Sequence, residues 1–159
     1  SAFLFELGKV KGDDLSFELW GSITKDTNEL PCNCVYHGAV APEELPRSLA
    51  GCHFGLVWDG ISVNTCDGGL GVYLRYNNSH KCGLYLASGI PVFVWKQSGL
   101  AHFVAEHGCG YAIESLGEID GILNGMSDSE YEKLIENTEK TAQILRRGGL
   151  LESAYRKMF

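Results

Sequence analysis

Short runs of apolar residues alternate with stretches of helical periodicity along most of the chain. The runs predict six strands, within residues 2–8, within 16–21, ending at Tyr36, and within 53–59, 91–95 and 111–113. Residues 53–59 and 91–95 are apolar along most of their length, which is typical of parallel strands covered on both faces. Strands that alternate with helices indicate parallel βαβ units. We therefore expect an α/β domain with a doubly wound, Rossmann-like parallel sheet and helices on both of its faces.

Helix boundary signals lie between these strands. Pro42, followed by two glutamates, begins a helix that Pro46 keeps short or bent. A second helix over residues 98–108 is capped by Ser98 and ended by Gly108.

Three further segments have distinct signatures. Ser127 and Glu130 form a capping box before a long helical pattern. Residues 60–71 are rich in glycine and predict a long loop of the kind that is often functional. Residues 150–159 predict a terminal amphipathic helix, which we expect to form a homo-oligomeric interface or to pack on a further domain.

A polar loop precedes the short helix that leads into residues 91–95. It brings Asn77, Ser79, His80 and Lys81 to the N-terminus of that helix. The first backbone N–H groups of a helix are unpaired and its dipole favours an anion, so a lysine at this position suits a diphosphate. The loop predicts a site for a phosphate-bearing ligand, and an ordinary polar helix cap is the alternative interpretation.

Two other strand ends carry candidate binding residues. Tyr36 is positioned to place its ring beside a base or a sugar, and Gly38 permits a close approach of the backbone, although both also suit a simple turn. Asp59 follows residues 53–58 and suits hydrogen bonds to sugar hydroxyls, with a turn-capping aspartate as the alternative. His102 and His107 are expected on the surface.

Composition narrows the function classes. At 159 residues the chain fits one domain with a sizeable core, and its net charge of −7 argues against a broad nucleic-acid-binding face.

The six cysteines include no C-x-x-C pair, so we expect free thiols in a reducing cytoplasm and predict no metal site. We find no signal peptide and no apolar run long enough to span a bilayer. Dinucleotide-binding and Walker A fingerprints are missing, which disfavours NAD and FAD.

Several segments, taken in order, resemble one family. They are residues 36–38, 42–46, 54–60, 76–81, 84–95, 110–111 and 145–149. Together they resemble the C-terminal, donor-binding domain of a GT-B glycosyltransferase. The resemblance is narrower still, to the bacterial group of adhesin-glycan glucosyltransferases and β-1,6-galactofuranosyltransferases. It implies an enzyme that works in the cytoplasm, with the inner membrane surface as a possible site of action.

The resemblance implies that the chain binds a UDP-sugar in an inter-domain cleft. Tyr36 would lie by the nucleotide, Lys81 would contact the diphosphate, and Asp59 with residues 77–79 would approach phosphate or sugar. The implied reaction transfers a hexosyl group to a sugar hydroxyl without a cofactor or bound metal. Retaining families carry a paired-glutamate motif near the position of Leu84, which is apolar here, and this is compatible with inversion.

The resemblance also implies that residues 1–159 are half of an enzyme. The glycan acceptor and the general base would belong to an N-terminal domain, so the isolated C-terminal domain would be inactive. Catalytic residues are not assigned. The identity of the hexose is left open among glucose, galactose and galactofuranose.

Two other functions fit the same architecture. One is half of a nucleotide-sugar 2-epimerase, which needs acid–base carboxylates near the sugar, where the sequence offers Asp59 and Asp67. The other is a non-catalytic nucleotide-binding α/β module, which would bind UDP without discriminating between sugars.

Overall fold

A three-stranded parallel sheet forms the centre of the molecule. The computed structural model describes residues 1–148, so the predicted helix at 150–159 lies outside the described residues. The sheet has the order β3-β4-β5, and its strands are β3 (Gly55–Val57), β4 (Val92–Trp95) and β5 (Gly110–Ile113). All four residues of β4 are buried, because this central strand is covered on both faces. The predictions for residues 53–59, 91–95 and 111–113 are confirmed.

A second, smaller sheet contains the two preceding strands. It pairs β1 (Phe17–Leu19) with β2 (Cys34–Tyr36) in parallel, with Phe17 opposite Cys34. The strand ending at Tyr36 is therefore confirmed. Among the described residues the parallel strands lie in two sheets, because neither strand of this pair is bonded to β3. The predicted α/β class with parallel strands is confirmed.

The predicted first strand is wrong. Residues Ala2–Lys9 form a 3₁₀ helix. Its core residues are Phe3 and Leu7, followed by Val10, and this spacing of four and three is helical rather than alternating. Phe5 is only partly buried.

Six α-helices lie within residues 1–148. They are α1 (Leu45–Ser48), α2 (Gly68–Tyr73), α3 (His80–Ala87), α4 (Ala101–His107), α5 (Ile119–Gly125) and α6 (Asp128–Arg146). Helix α3 packs against β3, β4 and α6, while α4 packs against β4, β5 and α6. None of the described helices is both long and apolar enough to cross a membrane.

The helix boundaries predicted from the sequence agree with the structure at some positions and not at others. The short α1 is confirmed, although it begins at Leu45 and places Pro46 in its first turn. Gly108 ends α4 in the left-handed conformation, as predicted. Ser98 does not cap α4: the helix begins at Ala101, and the Ser98 hydroxyl is buried without a hydrogen-bond partner.

The capping box at the start of α6 is confirmed. The Glu130 N–H donates to Ser127 Oγ at 3.3 Å, and the Ser127 N–H donates to Glu130 Oε2 at 2.9 Å. A second capping box, which the sequence analysis missed, joins Ser115 and Glu118 before α5. The same Ser-x-x-Glu signal would have found it.

The predicted loop over residues 60–71 is wrong in its last part, because α2 begins at Gly68. The preceding turn is held by Asp67, whose Oδ1 accepts hydrogen bonds from the N–H groups of Ile61 at 2.7 Å and Ser62 at 3.3 Å. Gly71 is buried in α2, and a Cβ there would lie 2.7 Å from the carbonyl carbon of Cys66. Because Gly71 has no side chain, α2 can pack closely against the backbone that follows β3.

All six cysteines are free, as predicted. Burial raises the pKa of the Cys66 and Cys82 thiols to about 12, so both are neutral at physiological pH. Within residues 1–148, no three histidine, cysteine, aspartate or glutamate side chains lie close enough together to hold a metal ion.

Candidate functional site

A groove opens beyond the carboxyl end of β3, where ligands bind in open parallel sheets. Its volume is about 290 Å³. We call it the β3 groove, and three segments form it: the end of β3, helix α2, and the loop that leads into α3. The lining residues are Val57, Trp58, Asp59, Leu70, Tyr73, Leu74, Asn77, Ser79, His80 and Lys81. Five of the seven predicted site residues therefore meet here.

The end of β3 supplies a fixed indole and a carboxylate. Trp58 is 1% exposed, and its indole N–H donates to the Ser62 carbonyl at 2.9 Å. Asp59 Oδ1 accepts from Ser1 Oγ at 2.6 Å and from the Gly60 N–H at 2.8 Å. The turn-capping interpretation of Asp59 thus holds for one carboxylate oxygen. Oδ2 accepts no hydrogen bond from the described residues, so it is available as an acceptor in the groove.

The loop into α3 leaves backbone donors at the other end of the groove. Ser79 is the N-cap residue with extended backbone (ψ 124°), and its side chain makes no capping hydrogen bond. The N–H groups of His80 and Lys81, in the first turn, have no intrahelical acceptor. The alternative interpretation, an ordinary side-chain cap, is therefore not what the loop forms.

Lys81 adds a positive charge beside these donors. Its side chain is exposed, and no acidic group among residues 1–148 forms a salt bridge with it. A lysine without a carboxylate partner, next to unpaired N–H groups and the positive end of a helix dipole, has the chemistry that suits an anion. We call this part of the groove its α3 end. His80 is exposed on the same turn.

The two remaining predicted residues lie elsewhere. Tyr36 and Gly38 belong to the smaller sheet and its following turn, and neither lines the β3 groove. The Tyr36 hydroxyl donates to the Gly21 carbonyl at 2.7 Å, and the Gly21 N–H donates to the Gly38 carbonyl at 2.8 Å. Gly38 has φ 80°, which explains why glycine suits this turn. Their binding roles stay predictions.

Sequence reasoning missed the α2 side of the groove. Leu70 and Tyr73 line it while remaining 65% and 56% exposed. The available signal was the placement of large apolar residues among the glycines of Gly68–Tyr73, of which residues 68–71 were predicted to be part of a loop.

A second cavity, of about 300 Å³, lies on the other side of the same loop. It is lined by α3, α4 and the end of α6, including Cys82, Phe103 and Leu145, and it shares Asn77 with the β3 groove. His107 stacks on Phe103 and is half-buried, so the surface prediction is only partly right for this histidine. His102 is exposed, as expected.

Residues 4–158 match the family described as glucosyltransferase 3-like, C-terminal domain. Beta-1,6-galactofuranosyltransferase WbbI of Escherichia coli (strain K12) is 43% identical over 110 residues, which are 69% of this chain and 33% of that protein. Glucosyltransferase 3 of Streptococcus gordonii is 35% identical over 116 residues, 73% of this chain and 34% of that protein. Glucosyltransferase 3 of Streptococcus parasanguinis is 30% identical over 122 residues, which are 76% of this chain and 34% of that protein. The chain spans about a third of the length of these curated relatives.

Proposed function

Because the chain belongs to the glucosyltransferase 3-like, C-terminal domain family, we propose that it binds the UDP-hexose donor of a hexosyl transfer reaction. Residues 1–159 then form the donor-binding half of a GT-B enzyme. The observation that carries the proposal is the β3 groove, in which Lys81 at a helix N-terminus and the carboxylate of Asp59 line one cavity.

The diphosphate is assigned to the α3 end of the groove. Two phosphates require several donors and a positive charge, and Lys81 with the first N–H groups of α3 supplies both. The Asn77 side chain is a further donor, whereas the Asn77 N–H is already donated to the Tyr73 carbonyl at 3.0 Å. The diphosphate is thus held by the Lys81 ammonium group, the side-chain amide of Asn77 and the backbone N–H groups that follow Ser79.

The hexose is assigned to the Asp59 end. A carboxylate oxygen that accepts no other hydrogen bond suits the hydroxyl donors of a sugar.

The proposed transfer is a single displacement with inversion. The acceptor hydroxyl attacks the anomeric carbon, the bond from that carbon to the diphosphate oxygen breaks, and UDP leaves with the electron pair. Lys81 and the α3 N–H groups stabilise the charge that develops on UDP. The proton of the acceptor hydroxyl passes to a general base, which we place with the glycan acceptor on an N-terminal domain. The isolated domain is then inactive, and the reaction uses no cofactor.

One observation weighs against the epimerase alternative. Asp67, the second carboxylate that the sequence offered, holds the 61–62 turn and does not line the groove. Asp59 is then the only carboxylate among the lining residues, whereas an acid–base pair is required for epimerisation.

Calorimetric titration of the 159-residue chain with UDP, UMP and NAD tests the proposal. We expect UDP to bind best, because UMP lacks the second phosphate and NAD lacks a uridine diphosphate. Absence of UDP binding, or a preference for NAD, would overturn the proposed function.

A further inference from the structure

Helix α2 presents an aromatic ring to the β3 groove. Tyr73 and Leu70 are large side chains that line the groove, yet more than half of each is exposed. Large apolar side chains that line a cavity together with a few polar groups are typical of a ligand site.

The backbone that carries this ring is fixed relative to both ends of the groove. Toward the sugar end, buried Gly71 brings α2 against the loop after β3, since a Cβ on it would lie 3.0 Å from the Asp59 carbonyl oxygen. Toward the phosphate end, the N–H groups of Tyr76 and Asn77 both donate to the Tyr73 carbonyl at 3.0 Å. The backbone of Tyr73 is therefore held between the chain at Asp59 and the loop that leads into α3.

We propose that Tyr73 is the platform on which the hexose of the donor stacks, with Asp59 Oδ2 accepting from its hydroxyls. This inference rests on the proposed function. A hexose has an apolar face of C–H groups and a rim of hydroxyl donors, which match an aromatic ring beside a carboxylate. A uracil ring matches this end less well, because it offers one N–H donor between two carbonyl acceptors, whereas several hydroxyls of a hexose can donate to a carboxylate. Tyr73 is thus a specificity-determining residue that separates UDP-hexose from UDP.

The test compares UDP with UDP-glucose and UDP-galactose by calorimetry on the 159-residue chain and three variants. Tyr73→Ala removes the ring, Tyr73→Phe keeps it, and Val72→Ala is the matched control. Val72 is an exposed residue of the same helix that does not line the groove. We expect Tyr73→Ala to weaken binding of at least one UDP-hexose about 2- to 10-fold, the range for an aromatic contact, with UDP affinity unchanged. Tyr73→Phe and Val72→Ala should bind like the parent chain.

The outcomes separate the two proposals. An equal loss of UDP and UDP-hexose affinity in Tyr73→Ala would place the ring against the nucleotide and overturn this inference alone. The inference is also overturned if Tyr73→Ala changes neither the UDP affinity nor the UDP-hexose affinity. If the parent chain binds no UDP, the proposed function fails and this inference fails with it.

Discussion

The backbone carbonyl of Tyr73 accepts a hydrogen bond from the N–H of Asn77 at 3.0 Å. This bond joins the end of α2 to the loop that leads into α3, so the α2 side of the β3 groove and its α3 end form one connected unit. Gly71 in turn seats α2 on the chain after β3. A change in the packing of α2 should therefore alter the α3 end of the groove as well as the stability of the fold.

Gly71→Ala should lower both stability and UDP affinity. The new Cβ would lie 2.7 Å from the Cys66 carbonyl carbon and 3.0 Å from the Asp59 oxygen, and backbone atoms yield poorly. We expect a loss of about 1–3 kcal/mol in the free energy of unfolding, the usual result of overpacking. Urea denaturation measures the stability and calorimetry with UDP measures the affinity.

Gly69→Ala is the matched control for that change. A Cβ at Gly69 meets nothing within 4 Å, and the residue lies in the same helix. This substitution should leave UDP affinity unchanged and raise stability by about 0.4–1 kcal/mol, because alanine restricts the unfolded chain. Equal behaviour of the two alanine variants would contradict the role given to Gly71.

Ser127→Ala should destabilise α6. The Ser127 hydroxyl accepts the N–H of Glu130, and losing such an N-cap costs about 0.5–2 kcal/mol. The melting temperature is the readout, and Ser129→Ala is the control, because this exposed serine lies in the first turn without taking part in the capping box. Similar melting temperatures for the two variants would show that the cap contributes little.

Glu18 should make stability depend on pH in the acid range. Its hydrogen bond with His37, followed by that from Ser16, lowers the pKa of Glu18 below its ordinary value of 4.5. A carboxyl with a lowered folded-state pKa contributes stability that is present above 4.5 and is lost as pH falls through the lowered value.

Glu18→Gln tests this contribution. The variant should unfold more easily than the parent chain at pH 6, and the difference should shrink once the pH falls below 4.5. Thermal unfolding across that range measures it. A difference that stays constant with pH would mean that the charge of Glu18 does not contribute.

Local signals made much of the fold predictable. A few neighbouring residues are enough to predict the buried strand β4, the polar loop before α3 and the Ser127 capping box. The resemblance is confirmed, because residues 4–158 match the glucosyltransferase 3-like family.

The errors arise where distant contacts decide the structure. Residues 2–8 are mostly apolar, which suits a short strand as well as a helix, and the burial of Phe3 and Leu7 on one helical face decides for the helix. Helix α2 depends on the contact of Gly71 with the chain near Asp59 and Cys66, which no local pattern encodes. Sheet pairing is equally non-local, so the sequence could not show that Tyr36 lies in a different sheet from β3.

Titration of Lys81→Ala with UDP tests the assignment of the diphosphate to the start of α3 most directly. Lys140→Ala is the control, because Lys140 is an exposed lysine of α6 that does not line the groove. We expect Lys81→Ala to weaken UDP binding by about 1.5–3 kcal/mol, the range for hydrogen bonds to charged groups, with its melting temperature and the affinity of Lys140→Ala unchanged. UDP affinity in Lys81→Ala equal to that of the parent chain would contradict the assignment.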